Sequence, residues 1–171
     1  MIEPIGPRQQ REVQAATARC IAQASRKLGR PLAAIPVHFD LSGRSAGMFC
    51  IRGRDCWIRY NPWIFGKYYA ENLADTVPHE VAHYVVHCLY GLRRVAAHGP
   101  EWQQVMRLLG ASPQATFNRD LDGVPQRRQR THRYVCGCRH HTLSSTRHNR
   151  VQRGTGRYQC RHCGETLVYS G

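Results

Sequence analysis

His79-Glu80-Val81-Ala82-His83 is the stretch that decides how this 171-residue chain is read. In a helix of about 3.6 residues per turn, positions four apart stack on one face. His79 and His83 can therefore aim two imidazole nitrogens at a single Zn2+, each about 2.0–2.1 Å from the metal. Glu80 lies about 100° round the same turn. There a carboxylate can take a proton from the attacking water and later hand one to a leaving amine. The competing reading is a surface helix with ordinary histidines, and the neighbouring residues weaken it. Between Thr76 and Val86 only Glu80 carries a formal charge, and an isolated carboxylate in an apolar helix needs a partner.

A catalytic zinc takes three protein ligands and keeps one position open. His87 extends the row, but it lies about 12 Å along the axis from His79, too far for both to bind one metal. Leu89 stands where the metzincin pattern requires a third histidine. The better candidates follow Gly91, a plausible helix C-cap, and the turn-back segment 92–97. In His98-Gly99-Pro100-Glu101-Trp102, His98 sits on a loop before a second amphipathic helix, Glu101 to Leu109. Glu101 is the rival ligand. His98 is preferred because a loop histidine followed by glycine can be steered onto the metal, whereas Glu101 already favours a helix dipole.

The C-terminal stretch has its own metal chemistry. Cys160-x-x-Cys163 followed by Gly164 has the form of a zinc knuckle, and Cys136 and Cys138 are its natural partners. Their C-x-C spacing is tighter than in most ribbons, which keeps His140 and His141 open as substitutes for Cys138. Disulfides would require an oxidising compartment, and the N-terminal residues lack an apolar signal core. Structural zinc and a cytoplasmic location are therefore expected. Cys20, Cys50, Cys56 and Cys88 have no ligand spacing and read as buried thiols.

Three sets of residues together resemble the SprT family, which includes the eukaryotic DNA–protein crosslink protease Spartan. They are the His79–His83 motif, His98-Gly99-Pro100-Glu101-Trp102, and the tail segments Tyr134–Cys138, Thr146–Gly154 and Tyr158–Gly164. The resemblance runs in the same order over roughly residues 10 to 170. It implies that His79, His83 and His98 hold a catalytic zinc and that Glu80 is the catalytic acid–base.

Charge is unevenly placed. The formal net charge is +14, and the residues from Val124 to Gly171 hold ten arginines against one acid, Glu165. That is +9 on the tail and +5 on the remaining 123 residues. Only Lys27 and Lys67 among the 25 basic residues are lysine. Genomic bias accounts for arginine over lysine but not for the near-absence of acids in the tail. Arginines neutralise phosphates and aromatic rings stack on unpaired bases. Arg147, Arg150, Arg153, Tyr134 and Tyr158 are thus candidate nucleic-acid contacts, although the two tyrosines could equally pack the small ribbon core. No apolar run approaches the 18 or so residues of a membrane span.

The expected fold is α+β. Arg8 to Leu28 reads as an amphipathic helix closed by Gly29 and Pro31. Residues 37–40, 46–50 and 56–60 read as three short strands with turns at Gly43 and Gly53. The stretch 63–74 reads as partly helical. Pro78 either sits in the first turn of the metal helix, with Thr76 as cap, or kinks a longer helix. The expected organisation is a zincin-like metalloprotease domain over 8–115, a basic linker over 116–130, and a basic β zinc ribbon over 131–171. It carries one catalytic and one structural Zn2+. The favoured function is a zinc endopeptidase acting on DNA-associated proteins. The alternatives are a nucleic-acid-binding factor with a structural histidine site, and a protease whose tail recruits an acidic protein. Oligomeric state is not legible.

Overall fold

The computed structural model describes residues 2–91, 95–114, 119–126 and 130–171. Part of the turn-back segment (92–94), residue 115 at the end of the expected metalloprotease domain, and parts of the expected linker (116–118 and 127–129) lie outside the described residues. The chain divides into two compact units, Met1–Gln126 and Arg127–Gly171.

In the first unit, helix α1 (Pro7–Leu28) buries Val13, Thr17, Ile21 and Ala24 along one stripe. It ends at Gly29, whose φ of 59° supplies the left-handed cap. Strands β1 (Val37–His38), β2 (Gly47–Arg52) and β3 (Asp55–Tyr60) form a sheet of order β1-β3-β2. A tight turn at Gly53 (φ 61°) joins β2 and β3 as an antiparallel pair, while β1 runs parallel to β3 on its other side. Strand β2 therefore lies at an edge of the sheet. Ile58 and Tyr60 of β3 are fully buried against the helices. Arg59, on the opposite face, is tied to Asp40 at 2.8 Å.

Asn61 caps α2 (Pro62–Lys67) by accepting from the N–H groups of Trp63 and Ile64. A single turn α3 (Tyr69–Glu71) runs into a π-helical turn, Asn72–Thr76, and then into α4 (Val77–Tyr90), which carries the His–Glu motif. This continuity resolves Pro78. It occupies the first turn of α4, but Thr76 is helical and makes no cap bond. The widened turn passes the Val77 N–H back to the Asn72 carbonyl, and the Thr76 hydroxyl binds Asn72 Oδ1 at 2.6 Å. A proline cannot donate to an ordinary helical ladder; the π turn precedes it without breaking the helix. Gly91 ends α4 with its N–H on the His87 carbonyl.

Helix α5 (Pro100–Leu108) packs on α4 through Trp102, Val105 and Met106. Residues 119–126, within the stretch read as linker, lie against α2. Lys67 pairs with Asp120 at 2.7 Å, and Val124 is buried with Ala46 and Ile64.

The second unit is a three-stranded sheet of order β5-β4-β6, built from β4 (Thr131–Cys136), β5 (Arg139–Ser144) and β6 (Val168–Tyr169). An eight-residue helix α6 (Ser145–Gln152) follows β5. The core is small: Tyr134, Leu143, Cys160 and Leu167, flanked by Cys136, Val151 and Tyr158. No helix among the described residues is long and apolar enough to cross a membrane.

Candidate active site and metal centres

Helix α4 places His79 and His83 one turn apart, and the loop before α5 brings His98 to them. The Nε2 atoms of His83 and His98 each lie 3.2 Å from His79 Nε2. Two nitrogens bound tetrahedrally at about 2.0–2.1 Å from one zinc are separated by about 3.3–3.4 Å, so the cluster has the dimensions that Zn2+ requires. Glu101 is not in this group among the described residues, and neither is His87. Burial, then the neighbouring His98, lowers the His79 pKa to about 4. Burial, followed by the His79 and His98 charges, lowers His83 to about 3. Both imidazoles are therefore neutral at physiological pH and free to act as ligands.

Two features that hold the cluster carry no site signature of their own in the sequence. Trp102 is fully buried and lies edge-on to His79 and His98 and tilted to His83, with ring centroids 4.8 Å from His79, 4.7 Å from His98 and 5.7 Å from His83. Its indole N–H donates to the His79 carbonyl at 3.3 Å. The apolar stripe of α5 marks it only as a core residue; its place four residues after His98 is the available signal. A second fixing contact is the hydrogen bond between His79 and the Gln114 backbone carbonyl.

Glu80 is only 5% exposed, on the face of α4 that meets β2. Burial raises its pKa to about 8, partly offset by a hydrogen bond from the Phe49 backbone N–H. Such a carboxyl is suited to exchanging protons near neutrality. Gly47 of β2 makes room for it. A Cβ at that position would lie 2.6 Å from Glu80 Cγ and 2.7 Å from Oε1. Gly47→Ala is expected to displace the carboxylate and lower kcat by about 10–100-fold. Zinc content should stay unchanged, and metal analysis beside steady-state kinetics checks both. Further along β2, Phe49 packs on Tyr84 and His87. The strand thus follows α4 from Glu80 toward its C-terminus. His87 Nδ1 is buried without a partner among the described residues.

In the second unit the four tail cysteines converge, with ligand atoms within 4.8 Å of one another. Cys136 Sγ lies 3.4 Å from Cys138 Sγ, which lies 3.7 Å from Cys160 Sγ. Tetrahedral Zn–S bonds of about 2.3 Å separate sulfurs by about 3.8 Å. Cys138 is thus in the cluster, while His141 stands beside it with Nε2 3.2 Å from Cys136 Sγ. Gly137, between the two cysteines, donates its N–H to Glu165 at 2.5 Å, tying this knuckle to the Cys160–Cys163 turn.

A profile of the SprT-like family matches residues 17–130. The chain belongs to the SprT-like family. It is similar to the SprT protein of Klebsiella pneumoniae strain 342, with 40% identity over 149 residues covering 86% of each chain. The SprT proteins of Escherichia coli O157:H7 and of Escherichia coli K12 DH10B are each 39% identical over 149 residues, with the same coverage. No solved structure matches it. As a SprT-family chain with a His-Glu-x-x-His helix, a three-histidine cluster and a four-cysteine cluster, it is a zinc metalloprotease with room for one catalytic and one structural zinc.

The candidate nucleic-acid contacts do not all survive. Tyr134 is fully buried in the ribbon core, its hydroxyl 3.0 Å from His148 Nδ1, so it offers no ring face to a base. Aromatic rings are the natural filling for so small a core. Arg147, Arg150 and Arg153 are exposed on α6 and its C-terminal end. Among the described residues none of the three pairs with a carboxylate. Arg147 lies over the Tyr158 ring, 5.7 Å from its centroid. Both line a cavity of about 550 Å3 that also carries Arg139 and Arg161.

Proposed function

We propose that His79, His83 and His98 hold the catalytic zinc, that Glu80 is the catalytic acid–base, and that the substrates are proteins associated with nucleic acid. The observation that carries the catalytic reading is the buried Glu80 carboxyl set next to a tetrahedral-sized cluster of three imidazoles. Zn2+ held there would supply a Lewis acid to polarise a peptide carbonyl and acidify the attacking water. The remaining steps belong to the chain. Trp102 and the Gln114 carbonyl keep the imidazoles oriented. A Glu80 carboxylate oxygen accepts the proton from the attacking water and returns it to the departing amide nitrogen. Strand β2, an edge strand beside Glu80, suits pairing with an extended substrate segment through main-chain hydrogen bonds.

The nucleic-acid reading rests on the tail charge and on the arginine-lined cavity of the ribbon. Guanidinium groups without carboxylate partners are available to phosphates, and the half-buried Tyr158 could take a base against its open face. Replacing Arg147, Arg150 and Arg153 by Ala is expected to weaken binding to single-stranded DNA. It should also reduce the log–log salt slope by about 2–3 units. A salt titration of wild type and triple variant is the test. Equal slopes would turn the reading toward a tail that recruits an acidic protein. Paired zinc thiolates also suit a compartment that keeps cysteines reduced, such as the cytoplasm.

A further inference from the structure

The cysteine cluster draws hydrogen-bond donors from the backbone and from side chains. At the Cys160-x-x-Cys163 knuckle the backbone supplies hydrogen bonds to sulfur: the His162 N–H lies 3.4 Å from Cys160 Sγ, and the Cys163 N–H points to the same atom. The Cys136-Gly137-Cys138 knuckle is one residue shorter, and its Gly137 N–H goes to Glu165. The Cys138 and Arg139 N–H groups point to Cys136 Sγ in the same way. Strand β5 adds side-chain donors to these. Residues two apart on a strand share a face, and Arg139 and His141 are such a pair.

The His141 imidazole sits 3.2 Å from Cys136 Sγ and also hydrogen-bonds Cys160, while the Arg139 side chain hydrogen-bonds Cys138. Four thiolates around one Zn2+ carry a formal charge of −2, and Cys138 and Cys163 are exposed to solvent. N–H donors behind the sulfurs offset that charge and fix the ligand directions.

We propose that Arg139 and His141 are positioning residues of the ribbon metal centre. They donate to three of its four thiolates, and His141 is a hydrogen-bond donor to the cluster rather than a ligand. This rests on the four-cysteine reading of the ribbon. The fourth coordination position is filled by Cys138, and the His141–Cys136 separation is that of an N–H···S contact.

The test uses the full-length chain loaded with Zn2+, and separately with Co2+, whose thiolate charge-transfer absorption reports bound cysteines and is silent for a histidine cluster. His141→Ala is expected to weaken metal retention at the ribbon by about 10–100-fold in competition with a chelator. Arg139→Ala should have a smaller effect in the same direction. His141→Gln, which keeps an N–H donor, should recover most of the loss. All three should keep the four-thiolate absorption. Unchanged metal retention in both alanine variants would overturn the proposal. So would a changed ligand field in the Co2+ form of His141→Gln, since that would make His141 a ligand. Cys138→Ser separates the two levels of the argument: undiminished thiolate absorption in that variant would overturn the four-cysteine reading itself.

Discussion

Glu80→Gln is expected to lower kcat toward the upper end of the about 10²–10⁴-fold range of general acid–base catalysis, with zinc content and fold retained. The carboxyl sits in a nearly closed pocket against Gly47 and accepts a hydrogen bond from the Phe49 N–H. A glutamine has the same shape and its amide oxygen can accept the same bond. It cannot take a proton from water. The loss should therefore fall on kcat, with KM little changed, because no substrate-binding group is removed. Replacing His83 or His98 has a different signature, in which metal occupancy and activity fall together. A Glu80→Gln variant that cleaved at the wild-type rate in a preparation free of other proteases would remove Glu80 from the mechanism.

Cys160→Ser is expected to unfold the ribbon while leaving the first unit intact. Four buried side chains make up the ribbon core, and Cys160 is one of them. So small a core depends on its metal, whose binding contributes on the order of 10–16 kcal/mol in comparable zinc modules. Zinc content should fall from two per chain to one. The unfolded tail, with its ten arginines, should become readily cut by trypsin. Trp57, Trp63 and Trp102 all lie in Met1–Gln126, so tryptophan fluorescence should stay native. A variant that kept two zincs and resisted trypsin would show that the ribbon does not depend on this ligand.

Much of the architecture could be read from local pattern. The apolar stripe of α1, the alternation in β2 and β3, and Gly29, Gly53 and Gly91 at their turns are signals within a few residues of one another. The His79–His83 spacing works the same way, which is why the metal helix stood out. What escaped depends on contacts distant in sequence or on backbone geometry. The π turn before Pro78 leaves no periodic trace. Helix α6, Ser-Thr-Arg-His-Asn-Arg-Val-Gln, has only Val151 to pack and so shows no apolar face. Gly47 looked like an ordinary strand residue, because its reason for being glycine is a carboxylate 33 positions later. Residues 119–126 looked like linker because their anchors, Lys67 and Ile64, lie on a distant helix. Tyr134 was undecided because a tyrosine beside a ligand serves packing and stacking equally well until its burial is known.

The central claim is that a zinc held by His79, His83 and His98 hydrolyses peptide bonds with Glu80. The most direct test is cleavage of an unstructured protein by the zinc-loaded chain, the metal-free chain and the metal-free chain titrated back with Zn2+, with bound metal measured in each. The account predicts two zincs per loaded chain, loss of cleavage on removal, and recovery that tracks refilling of the histidine site. Metal-free protein that cleaves at the loaded rate, or loaded protein that binds a single zinc, would contradict it.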